Sequence, residues 1–405
     1  MYFINNNVYI IKGYKRACIY DLNNNKLYHI NSDTYDFINS CISSKKSIFT
    51  EYEANTISFL LDNGIISRGN NIPKNIPNIN DLKEKLKISF AWIEVCTYCN
   101  LFCKHCYNES SSERHELMSI KSFKKTIDAL IEYGVKKIQL IGGEPFCNKD
   151  ICKMLEYSSG KFDFIEVFTN GTLLDEKLCS FLKEKSIKIA LSVYSYIPEE
   201  HDKVTQISGS FVKTKRAIEL LKNYEIPYRI ATTHMKDINI GEKDTELFTI
   251  NPNKDIIRMA GRGDVVHLSS ELLRKKLITK STFSKPIDIN TVKKNISGHQ
   301  CFANKIYIST DLEVYPCVME RRFSHGNISN TSLNEVLKEN ISLLTKDKIN
   351  GCCDCEFRYA CFDCRPDTLS DDVYSKPYYC TYDVKNGRWR DENDVIEEIL
   401  ESQSD

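Results

Sequence analysis

The sequence predicts an α/β protein built around a parallel sheet, with a small α+β unit before the sheet and a cysteine-rich segment after it. Apolar strand-like runs alternate with helical stretches from Ile88 to about Gly263, which is typical of βαβ units. Short strands and helices precede this region, and the sequence changes to cysteine-rich loop from Cys301 onward. A chain of 405 residues exceeds the usual size of one core. The predicted domains are residues 1–80, 81–290 and 291–405.

The composition argues against nucleic acid or a membrane as the main partner. The 55 basic and 55 acidic residues cancel, whereas both of those partners favour a basic excess. No apolar run is long enough to span a bilayer, and residues 1–5 lack the layout of a signal peptide. We therefore expect a cytoplasmic protein. Its 17 cysteines are odd in number and predict metal clusters rather than disulfides.

The first 80 residues predict a hairpin-rich unit followed by two helices. Ser32 is expected to cap a helix that runs to Cys41, and Glu51–Leu61 form the second helix. Residues 71–77 have the composition of a linker. The expected strands are Val8–Ile11, Ala17–Asp21 and Lys26–Ile30, with a turn at residues 22–25.

This order of elements resembles the winged-helix peptide-recognition element at the front of many enzymes that modify ribosomally made peptides. A cap that shields the end of a barrel is the alternative. A DNA-binding winged helix is disfavoured, because residues 1–80 carry no dense basic stripe.

The central region predicts six parallel strands with helices between them. Functional residues in folds of this kind lie on loops at the carboxyl ends of the strands. The strands are Ile88–Val95, Ile138–Ile141, Phe164–Phe168, Ile187–Val193, Tyr228–Thr232 and Ile256–Met259, and the helices include Ser119–Tyr133, Leu173–Lys185 and Phe211–Tyr224.

Two motifs follow the first two strands. Cys99, Cys103 and Cys106 form a Cys-x3-Cys-x2-Cys triplet, and residues 142–145 read Gly-Gly-Glu-Pro. Three thiolates can bind three corners of a [4Fe–4S] cluster and leave one iron open. Zinc is the alternative, but it usually takes paired Cys-x2-Cys ligands. Cys96 offers a competing register three residues before Cys99.

The triplet with Asn-Leu after its first cysteine, together with Gly-Gly-Glu-Pro, resembles the radical S-adenosylmethionine (SAM) superfamily. That resemblance implies a partial (β/α)6 TIM barrel and an open iron that chelates SAM. It implies that Cys99, Cys103 and Cys106 hold the cluster. The further SAM-binding residues that it implies are Gly142, Gly143, Glu144, Pro145, Ser192, Arg216 and Tyr107. Arg216 has an equally plain interpretation as a solvated helix charge, and Thr169–Thr172 either line the substrate side or form a turn.

The cysteines after residue 300 are similar to the SPASM domain, which carries auxiliary [4Fe–4S] clusters in peptide-modifying radical SAM enzymes. Leu312 replaces the family's glycine, and Cys361-x2-Cys364 is shorter than the usual spacing. The family pattern implies an outer cluster on Cys352, Cys355, Cys361 and Cys380, and an inner cluster on Cys301, Cys317 and Cys364. The inner group has an open iron or a further ligand, for which Cys353 is a candidate.

These resemblances imply a radical SAM enzyme that matures a ribosomal precursor peptide. A 5′-deoxyadenosyl radical abstracts hydrogen from a core residue, and a thioether, ether or carbon–carbon crosslink forms. SAM and three [4Fe–4S] clusters are the implied cofactors, with flavodoxin or ferredoxin as electron donor. The alternatives are a peptide epimerase, an anaerobic sulfatase-maturase-like enzyme, and a non-catalytic iron–sulfur scaffold that binds peptides.

The register of the triplet can be tested by two substitutions. Cys99→Ala should abolish reductive SAM cleavage, because it removes one cluster ligand, whereas Cys96→Ala should leave cleavage intact. Formation of 5′-deoxyadenosine under strong reductant is the measurement. Loss of cleavage in both variants would instead assign the cluster to Cys96, Cys99 and Cys103, because Cys99 is a ligand in both registers.

Overall fold

The computed structural model describes residues 2–43, 48–69, 76–243, 246–251, 255–338 and 344–402. Most of the predicted linker, residues 71–75, lies outside these described residues. Within them, no helix combines the length and the apolar character that a membrane span requires.

The N-terminal unit contains the predicted hairpins and helices. Strands β2, β3 and β4 form an antiparallel sheet, and β1 pairs with β5. Asn31, rather than Ser32, caps the first helix, because its side chain accepts from the Thr34 amide at 2.8 Å. The elements are β1 (Tyr2–Ile4), β2 (Val8–Lys12), β3 (Arg16–Asp21), β4 (Lys26–Asn31), α1 (Ser32–Ser43), α2 (Glu51–Asp62) and β5 (Ile66–Arg68).

The central region is a run of parallel strands with helices between them, as predicted. Successive strands β6 to β10 are neighbours and pair in parallel. They are β6 (Phe90–Cys96), β7 (Lys137–Gly142), β8 (Phe164–Thr169), β9 (Lys188–Ser192) and β10 (Tyr228–Ala231); the helices are α3 (Ile120–Tyr133), α4 (Ile151–Ser158), α5 (Glu176–Glu184), α6 (Pro198–Thr205) and α7 (Ser210–Asn223).

Helix α3 shows how residues at both ends of a helix satisfy its free backbone groups. Ser119 caps α3 by accepting from the Ser122 amide, and Gly134 ends that helix with φ +94°. Phe123, Ile127 and Leu130 lie on one face of α3 and are fully buried in the core that covers the sheet. Burial of such side chains contributes about 1.5–3 kcal/mol each.

The position predicted for the sixth parallel strand is wrong. Within the described residues, Ile256–Met259 form no strand, and Ile256 makes only a single bridge to His234. The sixth parallel strand is instead β11 (Lys305–Ile308), which pairs with β6 on the opposite side of the sheet. It follows α8 (Ser270–Lys276) and α9 (Ile289–Ser297) in the chain. The core that covers the sheet therefore also includes residues from beyond position 300.

The cysteine-rich part is built from short elements and turns. β12 and β13 extend the main sheet with antiparallel pairing, and β14 and β15 form a separate hairpin. These elements are β12 (Glu313–Tyr315), β13 (Gly326–Asn327), α10 (Leu333–Leu337), β14 (Tyr382–Asp383), β15 (Arg388–Trp389) and α11 (Glu392–Glu401).

Candidate active site

The Cys99–Cys106 loop follows β6 at the carboxyl edge of the sheet. Its backbone is fixed to α6: the Phe102 amide donates to the Thr205 carbonyl and the Lys104 amide to the Val204 carbonyl, both at 3.0 Å. Burial raises the pKa of Cys99 most, followed by the charge of Glu144, and the thiolates at Cys103 and Cys106 contribute less. Bound iron would offset the negative charges of these neighbouring thiolates. The three thiols are therefore suited to hold a cluster.

Cys96 lies apart from this group. Its thiol is fully buried and donates to the Glu144 carbonyl at 3.1 Å. Burial raises its pKa most, followed by the charges of Glu144 and Cys147. This placement favours the Cys99 register.

The Gly142–Gly143 turn runs against the start of the cysteine loop and needs glycine at both positions. A Cβ on Gly142 would lie 2.2 Å from the Cys96 carbonyl oxygen, and one on Gly143 would lie 2.1 Å from that of Tyr98. The Gly143 amide also donates to the Cys96 carbonyl at 2.9 Å. Any side chain here would push the β7 turn away from the cysteine loop.

Glu144 joins the ends of β7 and β8. Its fully buried carboxylate accepts from the Thr169 hydroxyl at 2.7 Å, the Asn170 amide at 2.8 Å and the Phe146 amide at 3.1 Å. Burial raises its pKa to about 7, against the opposing effect of these hydrogen bonds. The geometry makes Glu144 a positioning residue for the turn, and its predicted contact with SAM stays a prediction.

Thr169–Thr172 contact the cysteine loop through Asn100. The Asn170 amide group donates to the Asn100 side-chain carbonyl at 2.9 Å, and the Asn100 amide group donates to the Thr172 hydroxyl at 2.7 Å. These hydrogen bonds therefore help to fix the position of the cysteine loop. The signal in the sequence was the Asn that directly follows Cys99.

The remaining predicted SAM residues differ in placement. Ser192 ends β9, and its side chain lies close enough to the buried Tyr194 hydroxyl to lower the pKa of Tyr194 against the larger effect of burial, which raises it. Tyr107 packs in a cluster with Ile141. Arg216 is exposed on α7, whose buried face includes Thr214 instead. The roles of Ser192, Arg216, Tyr107 and Pro145 toward SAM remain predictions.

Arg262 is a functional candidate that the sequence did not reveal. Its guanidinium donates to the Cys103 and Ser110 carbonyls, both at 2.9 Å, and lies 4.2 Å from the centre of the Phe102 ring. A Cβ on the preceding Gly261 would lie 2.5 Å from the Cys106 carbonyl oxygen. The Gly-Arg-Gly string was the available signal, but nothing local connects it to a loop more than 150 residues earlier.

The seven predicted auxiliary ligands fall into two separate groups. Cys352, Cys355, Cys361 and Cys380 line one enclosed cavity, which we call the outer cavity, and Cys353 is not among its lining residues. In the other group, the charge of Cys301 contributes to raising the pKa of Cys317, after burial. The charges of both also contribute to raising that of Cys364, after burial and Asp367.

Positively charged side chains lie close to both groups of auxiliary cysteines. Asp363 is fully buried and pairs with Lys346 and Arg365, while Asp367 is fully buried and pairs with Arg258 at 2.9 Å and Lys276 at 3.0 Å. Each carboxylate is thus shared by two cations, which leaves a net positive charge beside thiols. An anionic cluster would be stabilised in such surroundings.

The residues therefore fit iron–sulfur clusters on the Cys99–Cys106 loop and around the outer cavity. Among the described residues, no three His, Cys, Asp or Glu side chains are close enough to hold one metal ion. The fit rests instead on the donors: three thiols on one braced loop, and four thiols around a cavity whose charged lining residues are Lys346, Arg358 and Lys376. Soft thiolates are the ligands that such clusters take.

A cavity of about 1220 Å³ lies between the segment that follows Cys106 and the segment that follows Cys317. Its wall includes Tyr107 and Asn108 after the cysteine loop, Gly261 beside Arg262, and Met319 and Arg321 after Cys317. Arg321 links the two sides of its wall by donating to the Asn108 side-chain carbonyl at 2.6 Å. The space is large enough for several residues of a bound chain.

Residues 93–248 match the family model of the Radical SAM superfamily. They form a radical SAM domain. The protein is accordingly an enzyme of the radical SAM type, with SAM and iron–sulfur clusters as its cofactors. Most of β6, all of β7 to β10, the cysteine loop and the Gly142–Pro145 turn lie in the matched region.

Two curated relatives extend over most of the chain. The antilisterial bacteriocin subtilosin biosynthesis protein AlbA of Bacillus subtilis is 28% identical over 363 residues, covering 83% of this chain and 80% of AlbA. The AdoMet-dependent heme synthase of Oleidesulfovibrio alaskensis is 24% identical over 337 residues, covering 72% of this chain and 86% of the synthase.

Solved structures share the fold. Streptococcus suis SuiB bound to precursor peptide SuiA superposes with a TM-score of 0.54 at 12% identity, covering 92% of this chain and 98% of SuiB. The enzyme anSMEcpe with bound AdoMet gives 0.52 at 18% identity, covering 77% of this chain and 96% of its own.

Arg262→Met should loosen the cysteine loop, because it removes two hydrogen bonds to backbone carbonyls. Charged hydrogen bonds contribute about 1.5–3 kcal/mol each, so SAM cleavage should fall by about tenfold or more. The measurements are 5′-deoxyadenosine formation and iron per chain. Arg229→Met, which removes a guanidinium paired with Glu166, is the control and should change neither. Unchanged iron and cleavage in Arg262→Met would contradict the bracing role.

The raised pKa of Glu144 predicts a pH-dependent stability. Between its ordinary value of 4.5 and about 7, the folded protein keeps a proton that the unfolded chain releases, so stability falls as pH rises through this window. From pH 4 to 8 the wild type should lose about 3 kcal/mol relative to Glu144→Gln. Anaerobic denaturant unfolding at each pH measures this difference, and parallel pH profiles for the two proteins would contradict it.

Proposed function

We propose that the protein is a radical SAM peptide maturase that crosslinks a ribosomally made precursor peptide. The observation that carries the proposal is the large cavity, whose wall is shared by the segments that follow Cys106 and Cys317. A peptide in this cavity would lie between the SAM site and the inner cysteine group. The relatives AlbA and SuiB, by their names and titles, serve bacteriocin biosynthesis and bind a precursor peptide.

The chain's own residues bind and orient the reactants. Cys99, Cys103 and Cys106 would hold the cluster, and the turn at Gly142–Pro145 would contact SAM. When bound, the cluster and SAM supply a 5′-deoxyadenosyl radical, which is the cofactor's chemistry. Arg262, Glu144 and Asn100 keep the loop and the turn in fixed relative positions.

The placement of the inner group favours crosslinking over epimerisation. A crosslink removes one hydrogen atom from the peptide and then one proton and one electron, and that electron needs an acceptor close to the peptide. Cys301, Cys317 and Cys364 would hold such an acceptor beside the cavity. Epimerisation instead needs a hydrogen-atom donor, such as a cysteine, on the far face of the substrate radical.

Residues 1–80 would bind the leader part of the precursor, in the manner of a winged-helix recognition element. Three antiparallel strands and two helices suit that role. Flavodoxin or ferredoxin would supply electrons. The fold of SuiB extends over 92% of this chain against 77% for anSMEcpe, which supports a unit beyond the barrel and the cysteine-rich part.

Anaerobic reconstitution followed by mass spectrometry tests the proposal. The probes are the short peptides encoded beside the gene. Loss of a pair of hydrogen atoms indicates a crosslink, whereas deuterium uptake from solvent without oxidation would indicate epimerisation. Iron of about twelve per chain supports three clusters. Failure to cleave SAM under strong reductant would contradict the enzyme and favour a binding scaffold.

A further inference from the structure

The loop from Cys352 to Cys361 has two functional faces. On one face, Cys352, Cys355 and Cys361 line the outer cavity together with Cys380. On the other face, the loop contacts the N-terminal unit. One short segment therefore both lines the cavity and contacts the N-terminal unit.

Glu356 is the centre of the second face. Its carboxylate, fully buried, accepts from the His29 imidazole at 2.6 Å and from the Tyr382 hydroxyl at 2.5 Å. Its backbone carbonyl accepts from the buried Tyr20 hydroxyl at 2.9 Å. These contacts join β3 and β4 of the N-terminal sheet to the Cys352–Cys361 loop and to β14.

The turn between β2 and β3 approaches the same loop closely. The Tyr14 amide donates to the Asp354 carbonyl at 2.7 Å, and the Arg358 guanidinium donates to the Lys12 carbonyl at 3.1 Å. A Cβ on Gly13 would lie 2.3 Å from a Glu356 carboxylate oxygen. A fit this close requires the loop to keep one conformation.

The loop has little regular structure that could fix its conformation. Residues 351–360 form turns rather than a helix or a strand. Phe357 belongs to both faces, since its ring lies 4.8 Å from that of His29 and also lines the outer cavity. Loops of this kind commonly gain their order from the metal centre that they bind.

We propose that the outer cluster anchors the N-terminal unit to the rest of the protein, so that assembly of this cluster is required before the unit takes its docked position. The consequence for peptide recognition rests on the proposed function, in which residues 1–80 bind the precursor. The docking of the N-terminal unit does not rest on that function. The loaded enzyme would then present a fixed peptide-binding unit, whereas protein without the outer cluster would not.

Hydrogen–deuterium exchange of the reconstituted full chain tests this inference. Cys380→Ala removes an outer ligand, and we expect the Tyr14 amide and the amides of β2 to β4 to exchange about tenfold faster than in the wild type. Cys301→Ala, which removes an inner ligand, is the matched control and should leave these amides protected. Unchanged protection in Cys380→Ala, or equal loss in both variants, would overturn the proposal.

A second variant guards against misfolding of Cys380→Ala. Glu356→Ala keeps all four thiols and removes the acceptor of His29 and Tyr382, so exchange in β2 to β4 should rise while iron per chain stays at the wild-type value. Unchanged exchange in this variant would show that the contacts do not dock the unit. Neither measurement uses SAM or a peptide, so failure of the proposed peptide chemistry would leave both results interpretable.

Discussion

The structure depends on holding an irregular loop of three thiols at the carboxyl edge of a parallel sheet. The loop has few internal hydrogen bonds, so elements far apart in the chain fix its position. Arg262 donates to two backbone carbonyls of this region, and two backbone amides of the loop donate to carbonyls of α6. The glycine turn packs closely against the backbone at the start of the loop. A cluster with an open iron needs such a rigid frame, because its position relative to the substrate determines which hydrogen atom is removed.

The cysteine-rich part buries charged side chains beside its thiols. Asp363 and Asp367 lie on either side of Cys364, and each is shared by two cations. Loss of either carboxylate would leave buried cations uncompensated, a change that typically costs about 3–5 kcal/mol. Arg258 also begins the segment that reaches Arg262, so the charge network of the inner group and the brace of the SAM loop share one stretch of chain.

Local patterns were sufficient for most of the elements, but not for contacts between distant segments. The hairpins, helices and five parallel strands follow from periodicity and turn residues. The sixth strand was misplaced because the apolar run at Ile256 resembles a strand, whereas the pairing of β11 with β6 joins segments more than 200 residues apart. Arg262 and the His29–Glu356 contact were missed for the same reason. The sequence left Arg216 with two interpretations, a SAM contact and a solvated helix charge, and its side chain is exposed on α7.

The central claim is that the cluster on Cys99, Cys103 and Cys106 keeps one open iron, which SAM chelates through its amino and carboxylate groups. Electron–nuclear double resonance of the reduced cluster with SAM labelled with ¹⁵N at the amino group tests it most directly. The account predicts a nitrogen coupling that appears on addition of SAM and is absent in Cys99→Ala. A reduced cluster that binds SAM without any coupling to the labelled nitrogen would contradict it.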